Sequence, residues 1–162
     1  MTYEEEIQEK ENMSYEEKNI TVSLVTQLLI AGYYVASWWN IYQSGELAPN
    51  RLFGLWAVVI AASIFSTIIA SILTNIVLTI LEAIQSKKYE EPRFASDERD
   101  ELISLKGTRL AYLIFSIGVF ISILVFAFGN PPVMMVSLII FFGVLAQIAG
   151  DILQIYLYRR GF

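Results

Sequence analysis

The strongest constraint on this chain is where its charges are missing. No Asp, Glu, Lys or Arg occurs in 20–45, 52–81 or 110–150. A bilayer hydrocarbon core about 30 Å thick takes roughly 20 consecutive apolar residues of helix. The first two gaps each hold one such span. The third holds two, divided at Gly129-Asn130-Pro131-Pro132. Hydrophobic residues make up 56 % of the chain and charged residues 17 %, against about 45–50 % and 25 % in soluble domains. The pattern predicts an all-α, polytopic membrane protein and excludes an ordinary soluble domain.

The first span reads as Ile20 to Gln43, followed by a turn through Ser44-Gly45-Glu46 and Pro49-Asn50. The second runs from Leu52 to Gln85, longer than one bilayer thickness, so it is expected to tilt or to emerge as helix. The third covers Arg109–Phe128. The fourth covers Val133–Tyr158, with proline suited to its first helical position. The chain then divides into an acidic segment (1–19), a first transmembrane hairpin (20–85), a charged loop (86–108) and a second hairpin (109–162).

Orientation follows from Lys and Arg, since Asp and Glu contribute little to the rule. Lys10, Lys18, Lys87, Lys88, Arg93, Arg99, Lys106, Arg109, Arg159 and Arg160 fall on one side, against Arg51 on the other. Both termini and the central loop are therefore expected in the cytoplasm, with the chain in the cytoplasmic (inner) membrane. Residues 1–19 carry seven Glu and two Lys, not the basic stretch and short apolar run of a secretory signal. The first span is expected to stay in the mature protein. Residues 1–12 lack a periodic apolar face and read as a disordered tail, with Met13 as an alternative start.

The hairpins resemble each other. Ser14-Tyr15-Glu16-Glu17-Lys18 precedes span one as Ser96-Asp97-Glu98-Arg99-Asp100 precedes span three. Asn75-Ile76 corresponds to Gln147-Ile148, Ile80-Leu81-Glu82 to Ile152-Leu153-Gln154, and Lys87-Lys88 to Arg159-Arg160. Each unit starts and ends on the same side, so the copies are parallel repeats about an axis along the membrane normal, unlike the inverted repeats of many transporters. Ser14-x-x-Glu17 fits a capping box, and the acids of the second copy suit a helix N-terminus.

The chain contains no Cys and no His. Disulfides, thiol chemistry, iron–sulfur ligation, imidazole haem ligands and a Ser–His–Asp triad are excluded, and no metal or cofactor is expected. A net charge of −5 argues against nucleic acid as a partner. Within the spans, Asp151 is the one well-embedded ionisable group. Gln147 and Gln154, four before it and three after it, form a polar strip with it on one helix face. An intramembrane carboxylate marks either a functional site or a structural anchor to a neighbouring helix. Span two carries Ser63, Thr67, Ser71, Asn75 and Thr79 at intervals of four, with Glu82 three further on. Small residues at that spacing make a tight packing face; the sharper reading is a polar seam ending at Glu82 and Asp151. On the cytoplasmic side Asp97, Glu98, Arg99, Asp100 and Arg109 are candidate contacts for a partner. Trp38, Trp39, Tyr42 and Trp56 around the outer turn read as an aromatic belt.

Three ordered motifs carry a resemblance: Met13-Ser14-Tyr15-Glu16-Glu17-Lys18, Asp97-Glu98-Arg99-Asp100-Glu101-Leu102-Ile103 and Tyr158-Arg159-Arg160-Gly161-Phe162. Together they resemble small prokaryotic four-span integral membrane proteins of unknown function, in which M-S-[FY]-E-E-K, D-x-R-D-x-x-I and Y-R-R-G-F recur. The likeness covers most of 13–162, and the acidic extension before Met13 departs from it. It implies a possible context beside helix-turn-helix regulators, but no activity or active site. The expected function is a small non-enzymatic membrane module, surrounded by lipid, that contacts itself as a homo-oligomer or a protein partner through its cytoplasmic loop. The alternative is a minimal channel or transporter subunit using Asp151, Glu82, Asn75 and Gln147.

Overall fold

The computed structural model describes residues 15–45, 49–85 and 98–160, and in the second helix it describes side chains to Ser66 and at Ile68 and Ile72. The tail 1–12, Met13, the Ser14 cap and residues 86–97 lie outside the described residues. Four helices account for nearly all of the rest: α1 (Tyr15–Gln43), α2 (Pro49–Gln85), α3 (Glu98–Ala127) and α4 (Pro132–Arg159). No strand occurs among the described residues. Three stretches are long and apolar enough to cross a membrane: Glu17–Gln43, Glu98–Ala127 and Pro132–Arg159. Within α2 the described apolar stretch is shorter, Asn50–Ser66. The helix itself has 37 residues, about 55 Å at 1.5 Å per residue.

The helices outrun the uncharged stretches at their charged ends. α3 begins at Glu98, well before Arg109, and absorbs much of the charged loop. Glu98, Asp100 and Glu101 occupy its first turn, where carboxylates offset the positive end of the helix dipole. Ile103, fully buried, anchors that extension to the bundle. At the opposite end α3 closes tightly. Asn130 donates its side-chain amide to the Val125 carbonyl at 2.9 Å, and Gly129 turns the chain at φ +89°, a conformation that favours glycine. Pro131 then leads into α4, with a proline in its first turn.

α4 is the central helix, packed against α1, α2 and α3, while α1 also packs on α2. Its contact with α3 is close because side chains are missing there. Phe142 fills the slot left by Gly118, and Gln154 lies over Gly107. A Cβ on Gly150 would stand 3.1 Å from the Gly107 carbonyl oxygen and 3.3 Å from Ala111 Cβ. Small residues of this kind let helix backbones approach, so dispersion contacts replace a hydrophobic drive that lipid does not supply.

The apolar core sits among α1, α2 and α4 toward the turn end, built on Ile30, Tyr34, Leu52, Leu55, Trp56 and Val59 with Val144 and Ile148 of α4. Tyr34 and Trp56 therefore belong to the interior, whereas the sequence pattern put Trp56 in the aromatic belt. Trp39 and Tyr42 keep that surface role, being exposed, and Trp38 stacks on Tyr42 with ring centroids 5.3 Å apart. The outside is oily. Leu29 is 69 % exposed, Phe120 63 % and Phe128 83 %, which in water would be an aggregating surface and in a bilayer is a solvated one.

Candidate polar site in the bundle

Asp151 projects from α4 at 3 % exposure. Ser23 of α1 donates to its Oδ2 at 2.9 Å, and Gln147, one turn earlier on α4, donates its amide Nε2 to Oδ1 at 2.9 Å. Each carboxylate oxygen thus holds one hydrogen bond, one of them from the opposite hairpin. Asp151 lies eight residues from Arg159, roughly 12 Å along the helix axis. Arg159 itself pairs with Glu17 of α1, Nε to Oε1 at 3.2 Å, so the same two helices are clamped at two levels. Glu17 is nearly buried whereas Arg159 is mostly exposed, so this is an interfacial pair.

Further in, Ser63 of α2 donates to Gln27 Oε1 of α1 at 3.5 Å. Gln27 is 2 % exposed. Beyond it, the core residues close the turn-side half of the α1–α2–α4 interface. One polar knot lies inside that half: Tyr34 donates to the Ser137 carbonyl at 2.7 Å, Trp56 Nε1 donates to Ser137 Oγ at 3.2 Å, and Ser137 donates to the Val133 carbonyl at 2.8 Å. These bonds satisfy groups that would otherwise be buried without partners.

Of the residues marked by sequence, Asp151 and Gln147 come together. Gln154, on the same strip, packs over Gly107 of α3. The side chains of Asn75 and Glu82 lie outside the described residues, as does Asp97. At the charged end Tyr158 donates to Asp100 Oδ1 at 2.8 Å, and Arg99 Nη2 donates to the Tyr158 carbonyl at 3.4 Å. Glu98, Arg99 and Arg109 are exposed. Sequence reasoning missed Ser23 and Gln27, which sit four apart on α1 and meet Asp151 and Ser63 across more than one helix boundary. Their spacing puts them on one face, but a serine and a glutamine in a polar-started span do not announce their partners. Asn19, one turn before Ser23, has its side-chain Oδ1 buried with no hydrogen-bond partner.

Two clefts flank α4. One, about 450 Å³, opens between α2 and α3 and reaches Gln27, Ser63 and Gln147. The other, about 250 Å³, lies between α1 and α3 nearer the turns, lined by Tyr34, Trp38, Val125 and Phe141 among others. Among the described residues no cluster of Asp and Glu is arranged to hold a metal ion. Compared with protein-family models, with curated proteins and with solved structures, the chain matches none.

Proposed function

We propose that this chain is a small, non-enzymatic four-span membrane module that assembles with itself or with a protein partner through its charged face. The second span is α2, whose 52–81 stretch carries no charge. Both termini and the charged loop 86–108 lie on the cytoplasmic side of a prokaryotic inner membrane, a reading that the Lys and Arg distribution supports. Two parallel hairpins, related by duplication, make up the fold, and the chain belongs beside the small four-span proteins its motifs resemble.

The observation that carries this reading is the engagement of Asp151. A carboxylate that loads and releases an ion needs free oxygens and a route; this one is tied between Ser23 and Gln147, and Leu52, Val59 and Trp56 fill the interior beyond it. Such a group braces α1 against α4 and holds a rigid platform under the charged end. There Glu98, Arg99 and Arg109 are exposed along the charged start of α3, which suits contact with a partner.

The alternative, a channel or transporter subunit, is favoured by one observation: Gln147 continues the polar groups from Asp151 to Gln27 and Ser63 in the larger cleft. Flux measurement in proteoliposomes decides between them. For protons, sodium and potassium, the parent chain and Asp151→Asn are expected to leak no faster than empty vesicles. A parent flux abolished by Asp151→Asn would overturn the assembly reading.

A further inference from the structure

The cleft between α2 and α3 holds polar groups at a depth where neither water nor lipid headgroups supply partners. Gln147 is twelve residues from Arg159 and fifteen from Pro132, roughly 18 Å and 22 Å along α4, near the middle of the span. It is exposed, and it is exposed into this cleft. One of its two amide hydrogens goes to Asp151. Gln27 is 2 % exposed, and it is one of the residues lining the same cleft. Its Oε1 accepts from Ser63 at 3.5 Å, and its amide nitrogen donates no hydrogen bond among the described residues. An amide N–H facing only hydrocarbon is costly, by several kcal/mol in the limit where nothing replaces water. Two such donors converging on one space define what should fill it.

We propose that this cleft binds a neutral lipophile that presents a carbonyl oxygen to the Gln27 and Gln147 amides. The remaining walls are apolar, chiefly Val59, Ile64, Phe115 and Ile140, and they accept alkyl or isoprenoid chain. The volume, about 450 Å³, lies within the range of small-molecule sites, which pair apolar walls with a few placed polar groups. Three features choose the occupant. The free groups are mostly donors, so the ligand must accept. The Asp151 carboxylate stands one turn from Gln147 and repels an anion, which excludes a fatty-acid carboxylate. The cleft opens sideways at mid-membrane depth, so the polar group must lie within the hydrocarbon and not at a headgroup. Gly143 supplies the room: a Cβ there would meet Phe115 only at 3.8 Å.

The proposal rests on the membrane reading given above, and the test separates the two. The protein is reconstituted in phosphatidylcholine nanodiscs and titrated with a tritiated long-chain dialkyl ketone whose carbonyl is at mid-chain, against the alkane of equal length. Saturable binding near one ketone per chain is expected, with none for the alkane. Gln27→Leu is expected to weaken the ketone about tenfold, the equivalent of one hydrogen bond. Gly143→Ile, which fills the cleft without touching any hydrogen bond, is expected to abolish saturable binding while helicity and nanodisc incorporation stay as in the parent. Equal binding of ketone and alkane, or an unchanged affinity in Gly143→Ile, overturns the proposal. So does a photo-crosslinker at Ile64 that captures a second copy of the chain, since a helix would then occupy the space. A chain that fails to enter nanodiscs overturns the membrane reading and this proposal with it.

Discussion

Asp151 owes its place to two short-range facts and one long-range one. The i, i+4 relation to Gln147 is dictated by helix geometry, and burial demands that its oxygens be partnered. The partner from α1, Ser23, lies 128 positions away in sequence. The bond between them should be worth about 0.6 kcal/mol, and at most about 1.7, which are the values found for interhelical hydrogen bonds inside membranes. A double-mutant cycle of Ser23→Ala and Asp151→Ala, each of which removes the contact, read as unfolding free energy by steric trapping, is expected to give a coupling in that range. Asparagine keeps an acceptor for one donor and turns its amino group toward the other, whose hydroxyl or amide oxygen can accept, so Asp151→Asn alone should be mild. A coupling indistinguishable from zero would mean that the Ser23 contact does not hold the hairpins together.

At the scale of the element, the α3–α4 pair depends on absent side chains. Gly107, Ala111 and Gly118 of α3 face Gly150, Gln154 and Phe142 of α4. Gly150→Leu must push against the Gly107 carbonyl, a backbone atom that cannot swing aside, whereas the Gln154 side chain over Gly107 can move. The expected order is therefore Gly150→Leu more damaging than Gly107→Ala, with about 1–3 kcal/mol lost for the overpacked contact. Thermal unfolding of both variants in one detergent checks it, and equal midpoints would refute the close approach. This interface also marks the limit of what the pattern of residues could disclose. The charge gaps disclosed the helices and the i, i+4 rule disclosed Gln147 with Asp151, because both are local. Gly107 and Gly150 are isolated glycines 43 positions apart, and no local rule pairs them. Trp56 was misplaced for a related reason: a ring near a turn fits the membrane interface by composition, and only the partner Ser137 on α4 draws it inward. The row at intervals of four on span two was legible as a row, and of it the structure pairs Ser63 with Gln27.

For the whole molecule, the arrangement of helices and the arrangement of charge make one joint claim. α1 meets α4 at Glu17–Arg159, Ser23–Asp151 and Tyr34–Ser137, an order along both helices that fixes them antiparallel. With the short connections at 44–48 and 128–131, all helix ends near Glu17, Glu98 and Arg159 then fall on one face and the turns on the other. In the proposed orientation, which rests on the positive-inside rule, that first face lies in the cytoplasm. Because the chain has no cysteine, any single one introduced is a unique label. Cysteines at Glu98 and Arg160 should resist a membrane-impermeant maleimide in intact cells and react once the membrane is opened. Cysteines at Gly45 and Gly129 should react in intact cells, and Leu29→Cys, facing lipid at 69 % exposure, in neither condition. The decisive position is Lys87, just past α2. If α2 spans, Lys87→Cys is protected in intact cells while Gly45→Cys reacts; if α2 instead turns back or lies along the surface, Lys87→Cys and Glu98→Cys are both labelled in intact cells with Gly45→Cys, and Gly129→Cys is protected. That second result would reduce the chain to three spans and put its N-terminus on the opposite side from 98. The Glu17–Arg159 pair could not form across a bilayer in that case, so the label at Lys87 and the ion pair at the far end of the bundle test one another.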